Sequence, residues 1–232
     1  MRKRALQPEL MDDPAIDQRE HRLALQGLRV LNRVSNAKGP ILREIRKEVL
    51  RDQRQSISIL DIATGSGDLP IALGRALQTS AVKAELHGCD MSETALAVGR
   101  EQSEEAGIPV HFHQIDVLHD PIPEVDVVTC ALFLHHLEED DAIRLLERLS
   151  RAARRLLILS DLRRCSSGLA LARLVPRLLT RSHVVHIDGP RSVEGAFTPV
   201  ELDLLCKKAG LANFRIRSIF PARMLLLWKP PA

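Results

Sequence analysis

The chain has 232 residues, of which 45% are hydrophobic, 27% are charged and 3% are aromatic. This size fits one α/β domain with an elaboration, and it allows a core to be buried without disulfides or metals. A net charge of +3 and few aromatic rings disfavour a nucleic-acid-binding protein, which relies on base stacking and a strongly basic surface. The composition therefore predicts a globular protein with no nucleic-acid partner.

The cysteines and the lengths of the apolar runs indicate the setting in which the protein works. The four cysteines lie far apart and none forms a Cys-x-x-Cys pair, so neither a disulfide framework nor a zinc site is expected. No apolar run approaches the ~20 residues that span a bilayer. We expect a cytoplasmic monomer or homodimer with no metal site and no membrane span.

The first 52 residues are predicted to form a helical cap. Residues 1–13 are charged and contain proline, and they are expected to be loosely ordered. Apolar side chains then recur at three- and four-residue steps after Asp17, and again from Ile41 to Leu50, which indicates two amphipathic helices. The core is expected at residues 53–232.

Strand and helix signals alternate through the core. Strands are predicted at 56–62, 83–89, 110–114, 125–130 and 156–160, with helices at 70–78, 93–106 and 140–152. Such alternation is typical of a parallel sheet with helices on both faces. Two further strands, at 213–219 and 223–228, are joined by three residues, so the last strand runs antiparallel to its neighbour. The predicted fold class is α/β, a seven-stranded, mostly parallel, doubly wound sheet with an antiparallel last strand.

Residues 163–197 interrupt this alternation. A helix is predicted at 168–179, followed by a polar, glycine-containing loop at 183–197. The next helix begins after Thr198 with the sequence of a capping box. We expect this helical and loop insertion, together with the N-terminal helices, to form a lid.

A glycine-rich turn, DIATGSGD at 61–68, follows the first predicted strand. Gly65 and Gly67 allow a sharp turn at the carboxyl edge of the sheet, where ligands bind in such folds. Two glycines are compatible with a dinucleotide site, a tight turn without ligand, or a nucleoside-sulfonium site. The third glycine of the dinucleotide fingerprint is missing, and Asp68 would repel a pyrophosphate.

Carboxylates at the ends of the next two strands favour the nucleoside-sulfonium site. Asp90, followed by Met91, lies about 20 residues past the glycines, where an acidic side chain accepts hydrogen bonds from ribose hydroxyls. Asp116 follows the third strand and can accept from an adenine amino group, with Met91 and Val117 as apolar walls. Each carboxylate alone is equally compatible with a helix cap or a loop residue. Together with the turn they indicate a cofactor site.

These segments resemble the motifs of class I S-adenosylmethionine-dependent methyltransferases, and most of all the ubiquinone/menaquinone-biosynthesis C-methyltransferase-like group. LDIATGSGD at 60–68 is similar to motif I of the family, and DVVTCALFLHHL at 126–137 to its fourth strand and the loop that follows. Asp90-Met91 matches its ribose-binding position and Asp116-Val117 its adenine-binding position. The resemblance covers residues 56–228 and implies S-adenosylmethionine as cofactor and S-adenosylhomocysteine as product. The cofactor-binding residues that follow are Asp61, Ala63, Thr64, Gly65, Gly67, Asp90, Met91, Asp116, Val117 and Cys130.

The resemblance is specific for fold and cofactor and unspecific for substrate. The leading hypothesis is methyl transfer to a small molecule, a phenolic, quinol or polyketide-like acceptor methylated on oxygen or carbon. His135 and His136 follow the fourth strand and are the candidate catalytic residues, because an imidazole has a suitable pKa for a general base. Packing residues or caps are the competing interpretation. The Asn/Asp-Pro-Pro-aromatic motif of nucleic-acid amino methyltransferases is absent, since Ala131-Leu132-Phe133 occupies that place.

The insertion supplies the candidate acceptor-binding residues His186, Arg191 and Arg163, for which solvated surface residues are the competing interpretation. Two other functions stay open. One is an NAD(P)-dependent Rossmann oxidoreductase, and the other is a non-catalytic protein that binds S-adenosylmethionine.

Overall fold

The fold was analysed in a computed structural model, which describes residues 3–13, 15–51, 55–78 and 82–231. The predicted boundary between the cap and the core, at residues 52 and 53, lies outside the described residues. Within those ranges, no helix is long and apolar enough to cross a membrane.

Helices and strands alternate through the described chain. The helices are α1 (Gln18–Val34), α2 (Gly39–Arg51), α3 (Asp68–Leu77), α4 (Glu93–Ala106), α5 (Glu139–Ala152), α6 (Ser166–Leu179), α7 (His183–Gly195) and α8 (Pro199–Lys208). The strands are β1 (Ser56–Ile62), β2 (Lys83–Asp90), β3 (His111–Gln114), β4 (Val125–Ala131), β5 (Ala153–Leu162), β6 (Arg215–Ile219) and β7 (Arg223–Trp228). Short 3-10 helices occupy Leu10–Asp12 and Leu134–His136.

All seven strands form one sheet in the order β3-β2-β1-β4-β5-β7-β6. Strands β1 to β5 are parallel, and β7 runs antiparallel to both β5 and β6. The strand order reverses beside β1, so the turn after β1 lies at the switch point of the sheet. The predicted fold class is confirmed.

Helices pack on both faces of the sheet and enclose two apolar cores. On one face, α5 and α8 contribute fully buried side chains such as Leu145, Leu149 and Leu202. On the other face, α2 contributes Ile41 and Ile45. Burying each such side chain stabilises the fold by ~1.5–3 kcal/mol. These cores fix the positions of the loops at the carboxyl edge of the sheet.

Residues 183–195 form a helix, so the polar loop predicted at 183–197 is wrong for most of its length. Helix α7 includes Gly189 and Pro190, two residues with low helix propensity. Its first turn is capped by Ser182, whose hydroxyl accepts the N–H of the buried Val185. Packing against the rest of the protein therefore outweighs the local preference of this sequence.

Residues 4–12, here called the N-terminal strap, are held against the protein, whereas the sequence predicts loose order. The guanidinium of Arg4 donates to the carbonyl oxygens of Gly195 at 2.6 Å, Leu137 at 2.5 Å and His135 at 3.1 Å. These carbonyls belong to the end of α7 and to the loop after β4. Arg4 therefore attaches the strap to the loop that carries the candidate catalytic residues His135 and His136.

A second set of contacts joins the strap to the middle of α7. The carboxylate of Asp188 accepts the backbone N–H groups of Leu10 at 2.9 Å and Met11 at 3.0 Å. Arg191 donates to the carbonyl oxygen of Pro8 at 2.8 Å. Since both ends of the strap are bound, the segment crosses the loop after β4 in a defined position.

Candidate active site

The glycine-rich turn between β1 and α3 has three residues in the left-handed region, with φ of +50° at Ala63, +55° at Gly65 and +73° at Gly67. A Cβ added at Gly65 would meet no atom within 4 Å, so this position faces open space. A Cβ at Gly67 would lie 2.6 Å from the Phe112 ring. Gly65 thus leaves room for a ligand, and Gly67 permits the ring of Phe112 to approach the backbone.

Asp61 lies buried beneath this turn. Its carboxylate accepts the hydroxyls of Thr64 and Thr129, each at 2.7 Å, and so joins the end of β1 to the turn and to β4. Burial raises the pKa of Asp61 to about 7, although the two threonine hydroxyls oppose the shift. Asp61 and Thr64 therefore shape the turn from below.

Asp90 ends β2 beside the same turn. Its carboxylate accepts the N–H of Gly65 at 2.8 Å and that of Ser92 at 2.9 Å. Burial raises its pKa, and these two hydrogen bonds act in the opposite direction. Met91, the next residue, is exposed. The structure thus brings Asp90 and the glycines together, as the sequence predicts for one site.

Asp116 follows β3 and is tied to its own loop. Its carboxylate accepts the N–H of Leu118 at 2.9 Å and the ring N–H of His119 at 2.7 Å, and the His119 hydrogen bond lowers its pKa. Val117 is buried in the core. Cys130 is also completely buried, and burial raises the pKa of its thiol, so its predicted contact with a cofactor is not supported.

His135 is held by Asp161 at the ends of β4 and β5. The ring Nδ1 donates to Asp161 Oδ1 at 2.6 Å, and the backbone N–H donates to Asp161 Oδ2 at 3.0 Å. In the neutral ring the Nδ1 proton points to Asp161, so Nε2 is the atom that can accept a proton; it faces Glu9 of the strap, whose Oε1 lies 3.8 Å away. The residue is 4% exposed because the strap covers it.

His136 stands beside His135 but has a different environment. Its Nδ1 donates to Asp12 Oδ2 at 2.9 Å, and its side chain is 20% exposed. Burial lowers its pKa, but the hydrogen bond to Asp12 and the charges of Glu9 and Asp12 outweigh burial and raise the pKa to about 9. At neutral pH His136 is therefore an imidazolium, which cannot accept a proton.

Among the described residues, Glu9, His135 and His136 place one ligand-type atom each within 4.8 Å of one another. No sequence pattern predicts this grouping, because Glu9 is more than a hundred residues from the histidines. Burial raises the pKa of Glu9, and the two histidines and a hydrogen bond from Ser192 lower it. The carboxyl group of Glu9 in the strap and the imidazoles of His135 and His136 in the loop thus interact electrostatically.

Four residues of this region were missed by the sequence analysis: Glu9, Asp12, His21 and Asp161. His21 of α1 is buried, which lowers its pKa, while the carboxylates of Asp90 and Asp12 raise it. Asp161 lies at the end of a strand, as Asp90 does, so a search for carboxylates at strand ends could have identified it. The other residues carry no such signal.

The predicted acceptor-binding residues are not brought to His135. His186 caps the end of α6, since its Nε2 lies 3.2 Å from the carbonyl oxygen of Pro176 and 3.1 Å from that of Thr180. Arg163 donates to the hydroxyl of Ser218 on β6. Arg191 holds the strap, as described above. Their contacts assign structural roles to His186 and Arg163, and an indirect one to Arg191.

Part of the chain is similar to a known protein family. Residues 59–155, which run from β1 to the start of β5, match the family model of the methyltransferase domain. Residues 59–155 are thus similar to a methyltransferase domain, and this segment covers less than half of the chain. This match agrees with the S-adenosylmethionine cofactor that the sequence motifs predict.

The relatives of the methyltransferase domain include enzymes of quinone biosynthesis. The chain is 36% identical to the demethylmenaquinone methyltransferase of Thermus thermophilus over 104 residues, which cover 44% of this chain and 46% of that protein. It is 35% identical to the ubiquinone biosynthesis O-methyltransferase of Pseudomonas putida over 98 residues, 40% of each protein. The chain thus spans less than half the length of these curated relatives.

The fold extends beyond the matched segment. A crystal structure of an S-adenosylmethionine-dependent methyltransferase from Aquifex aeolicus superposes with a TM-score of 0.64. The two chains are 18% identical, and the superposition covers 92% of this chain and 98% of the other. This likeness shows that the two proteins share a fold.

We expect Gly67→Ala to destabilise the methyltransferase domain by about 2–4 kcal/mol, measured by urea unfolding. About 1 kcal/mol of this comes from the left-handed backbone and the rest from displacing the Phe112 ring. Gly210→Ala is the matched control, because Gly210 has the same φ of +73° and no neighbour within 4 Å of an added Cβ. Equal losses in the two variants would contradict the packing role of Gly67.

Asp61 should make the free energy of unfolding depend on pH. Its folded-state pKa of about 7 lies above the unfolded value of about 4, so its contribution falls as pH rises through this window, by at most about 1.4 kcal/mol per pH unit. Asp61→Asn should remove that fall, and Thr129→Val, which removes one hydroxyl donor, should move it to higher pH. Identical pH profiles for the wild type and Asp61→Asn, measured by urea unfolding, would show that the carboxyl titrates normally.

Proposed function

We propose that the protein transfers a methyl group from S-adenosylmethionine to a small aromatic acceptor of the phenol or quinol class, on oxygen or on carbon. The observation that carries the proposal is the His135–Asp161 pair in the loop after β4, which holds Nδ1 on the carboxylate and turns Nε2 toward the strap. Strand β4 lies directly beside β1, which leads into the cofactor turn. A base and a cofactor site therefore share one edge of the sheet.

The cofactor turn suits a ligand with a nucleoside and without phosphates. Open space lies over Gly65, and the carboxylate of Asp90 lies next to it to accept ribose hydroxyls. Asp68, at the start of α3, forms ion pairs with Arg29 at 3.3 Å and Lys38 at 3.6 Å. Asp68 thus offsets one of these two positive charges and places a carboxylate at the turn, where it would repel a pyrophosphate but not a sulfonium. This argues against the NAD(P)-dependent oxidoreductase.

His135 fits the role of general base, and Asp161 that of a positioning residue. S-adenosylmethionine supplies a methyl group that is already activated as a sulfonium. What the protein adds is removal of the acceptor's proton, which His135 Nε2 can take while its Nδ1–H stays bonded to Asp161. The hydrogen bond to Asp161 stabilises the imidazolium that forms. His136, already protonated, instead supplies positive charge beside the developing phenolate.

The surroundings favour an aromatic acceptor. The ring of Phe133 stacks on that of His136 with centroids 6.1 Å apart, and the two histidine rings lie 4.3 Å apart. An aromatic ring with an ionisable hydroxyl fits between such planar groups and a base. The curated relatives are named for quinone biosynthesis, which agrees with this acceptor class.

One observation favours the second candidate function, a non-catalytic S-adenosylmethionine-binding protein. The strap places Glu9 where an acceptor hydroxyl would meet His135, and it leaves that residue 4% exposed. Catalysis requires the strap to move or the acceptor to displace Glu9. Turnover assays separate the two functions, because only the enzyme forms S-adenosylhomocysteine.

Cofactor binding is tested by calorimetry with S-adenosylmethionine and NADH. We expect the first to bind and the second not to bind. Asp90→Asn should weaken binding of S-adenosylmethionine about 10- to 100-fold, because it removes hydrogen bonds to a charged acceptor. Asp126→Asn is the matched control, since Asp126 lies at the opposite end of β4 and its carboxylate accepts from Ser58. Binding of NADH without binding of S-adenosylmethionine would contradict the proposal.

Catalysis is tested by screening phenols and quinols for formation of S-adenosylhomocysteine. With an accepted substrate, His135→Gln should lower kcat by about 10²- to 10⁴-fold while cofactor affinity stays the same. His136→Gln should cost less, because His136 acts only through its charge. Asp161→Asn should lower kcat and alter its pH profile, since the proton on Nδ1 would lose its acceptor.

Two results would contradict the general-base role. One is an unchanged kcat in His135→Gln. The other is loss of turnover on treatment with a chelator, because Glu9, His135 and His136 would then act as metal ligands.

A further inference from the structure

The outward side of α6 exposes a stripe of leucines. Leu171, Leu174 and Leu178 are 40%, 64% and 82% exposed. Their spacing of three and four residues places them on one side of the helix. Such a stripe is unusual on a monomer surface and indicates an interaction site.

Arginines flank this stripe. Residues 162–187 contain five arginines and no aspartate or glutamate. Of these arginines, Arg173, Arg177 and Arg181 are exposed, on or directly after α6. We call the three leucines with these three arginines the α6 face. The local charge is far more positive than the +3 of the whole chain suggests.

The other two arginines have contacts elsewhere and do not belong to this surface. Arg164 is buried and donates to the carbonyl oxygen of Ala196 and the carboxylate of Glu201. Arg163 donates to Ser218. Among the outward arginines, Arg173 lies 3.5 Å from Glu194, an exposed pairing that is weak in water.

An exposed aromatic side chain lies beside the start of α6. Phe220, in the turn between β6 and β7, is 90% exposed. Ala222 of the same turn contacts Gly168 of α6 and accepts the N–H of Arg163 at 2.9 Å. The apolar surface therefore continues from α6 onto this turn, at the carboxyl edge of the sheet. That is the edge at which the candidate active site lies.

We propose that the α6 face, together with Phe220, docks on the surface of an anionic lipid bilayer. An amphipathic helix with leucines on one side and arginines at its flank lies in the plane of the interface, with the apolar side chains among the acyl chains. Lipid phosphates complement the arginines, and no acidic side chain of residues 162–187 opposes them. With 14 residues, α6 lies along a membrane and does not span one.

The proposal is tested by flotation of the full chain with phosphatidylcholine vesicles, with and without phosphatidylglycerol. We expect flotation with the anionic vesicles only, and weaker flotation at high salt. Leu174→Gln/Leu178→Gln should lower the partition coefficient at least about tenfold. Arg177→Gln/Arg181→Gln should lower it roughly 30-fold, since each cation near such a surface contributes about a fivefold factor.

The matched control is Val200→Gln/Leu204→Gln, which makes the same chemical change on exposed positions of α8. This control should float like the wild type. Calorimetry with S-adenosylmethionine checks that each variant is folded, because the α6 face contributes nothing to the cofactor turn. If the leucine variant is misfolded, the arginine variant decides, since its two side chains are exposed.

Three outcomes overturn the proposal. The first is no flotation of the wild type with anionic vesicles, and the second is equal loss in the α8 control. The third is a dimer in sedimentation that Leu174→Gln/Leu178→Gln dissociates, which would make the α6 face a contact between two copies of this chain. None of these outcomes bears on methyl transfer to a water-soluble acceptor, so the two proposals fail separately.

Discussion

The carboxylate of Asp161 organises the candidate active site. It is buried at the end of β5 and accepts three N–H groups: the backbone and ring of His135, and the backbone of Leu162 at 2.6 Å. A buried carboxylate is costly without such partners, so the loop after β4 cannot leave β5 without exposing an unpaired charge. Arg4 then binds the carbonyl oxygen of His135, which attaches the strap to the same point. Sheet, loop and strap thus depend on one side chain.

Different neighbouring carboxylates give different roles to two adjacent histidines. His135 and His136 have equal chemistry, and the sequence offers no means of choosing between them. Asp161 contacts Nδ1 of one ring, while Asp12 and Glu9 surround Nδ1 of the other and raise its pKa to about 9. The choice is therefore made by the strap, a segment more than a hundred residues away in the chain.

The sheet was predictable because its signals are local. β1, β7 and α4 begin and end where the apolar runs and turn residues predict, and the three-residue connection before β7 forces the hairpin. The cofactor turn was predictable for the same reason. Its glycines and the carboxylate of Asp90 each follow a strand, and parallel strands bring their ends to one edge.

The features that the sequence does not predict have a different physical origin. Helix α7 contains Gly189 and Pro190, and it forms because packing and the cap at Ser182 outweigh propensity. The strap has no periodic pattern at all, and its order comes from contacts with residues far along the chain. The predicted acceptor contact of His186 rests on a polar loop expected at that position, whereas its ring lies beside the carbonyl oxygens of Pro176 and Thr180 at the end of α6. Tertiary contacts of this kind leave no trace in a single sequence.

The anchors at both ends of the strap use main-chain atoms of one partner or the other. Arg4 binds carbonyl oxygens, Asp188 binds the N–H groups of Leu10 and Met11, and Arg191 binds the carbonyl oxygen of Pro8. Main-chain atoms are the same for every residue, so these anchors do not depend on which side chains stand at positions 8, 10 and 11. A family of such proteins can therefore exchange the groups that meet the acceptor while keeping the anchors, the cofactor turn and the base. In this architecture, selectivity evolves independently of stability.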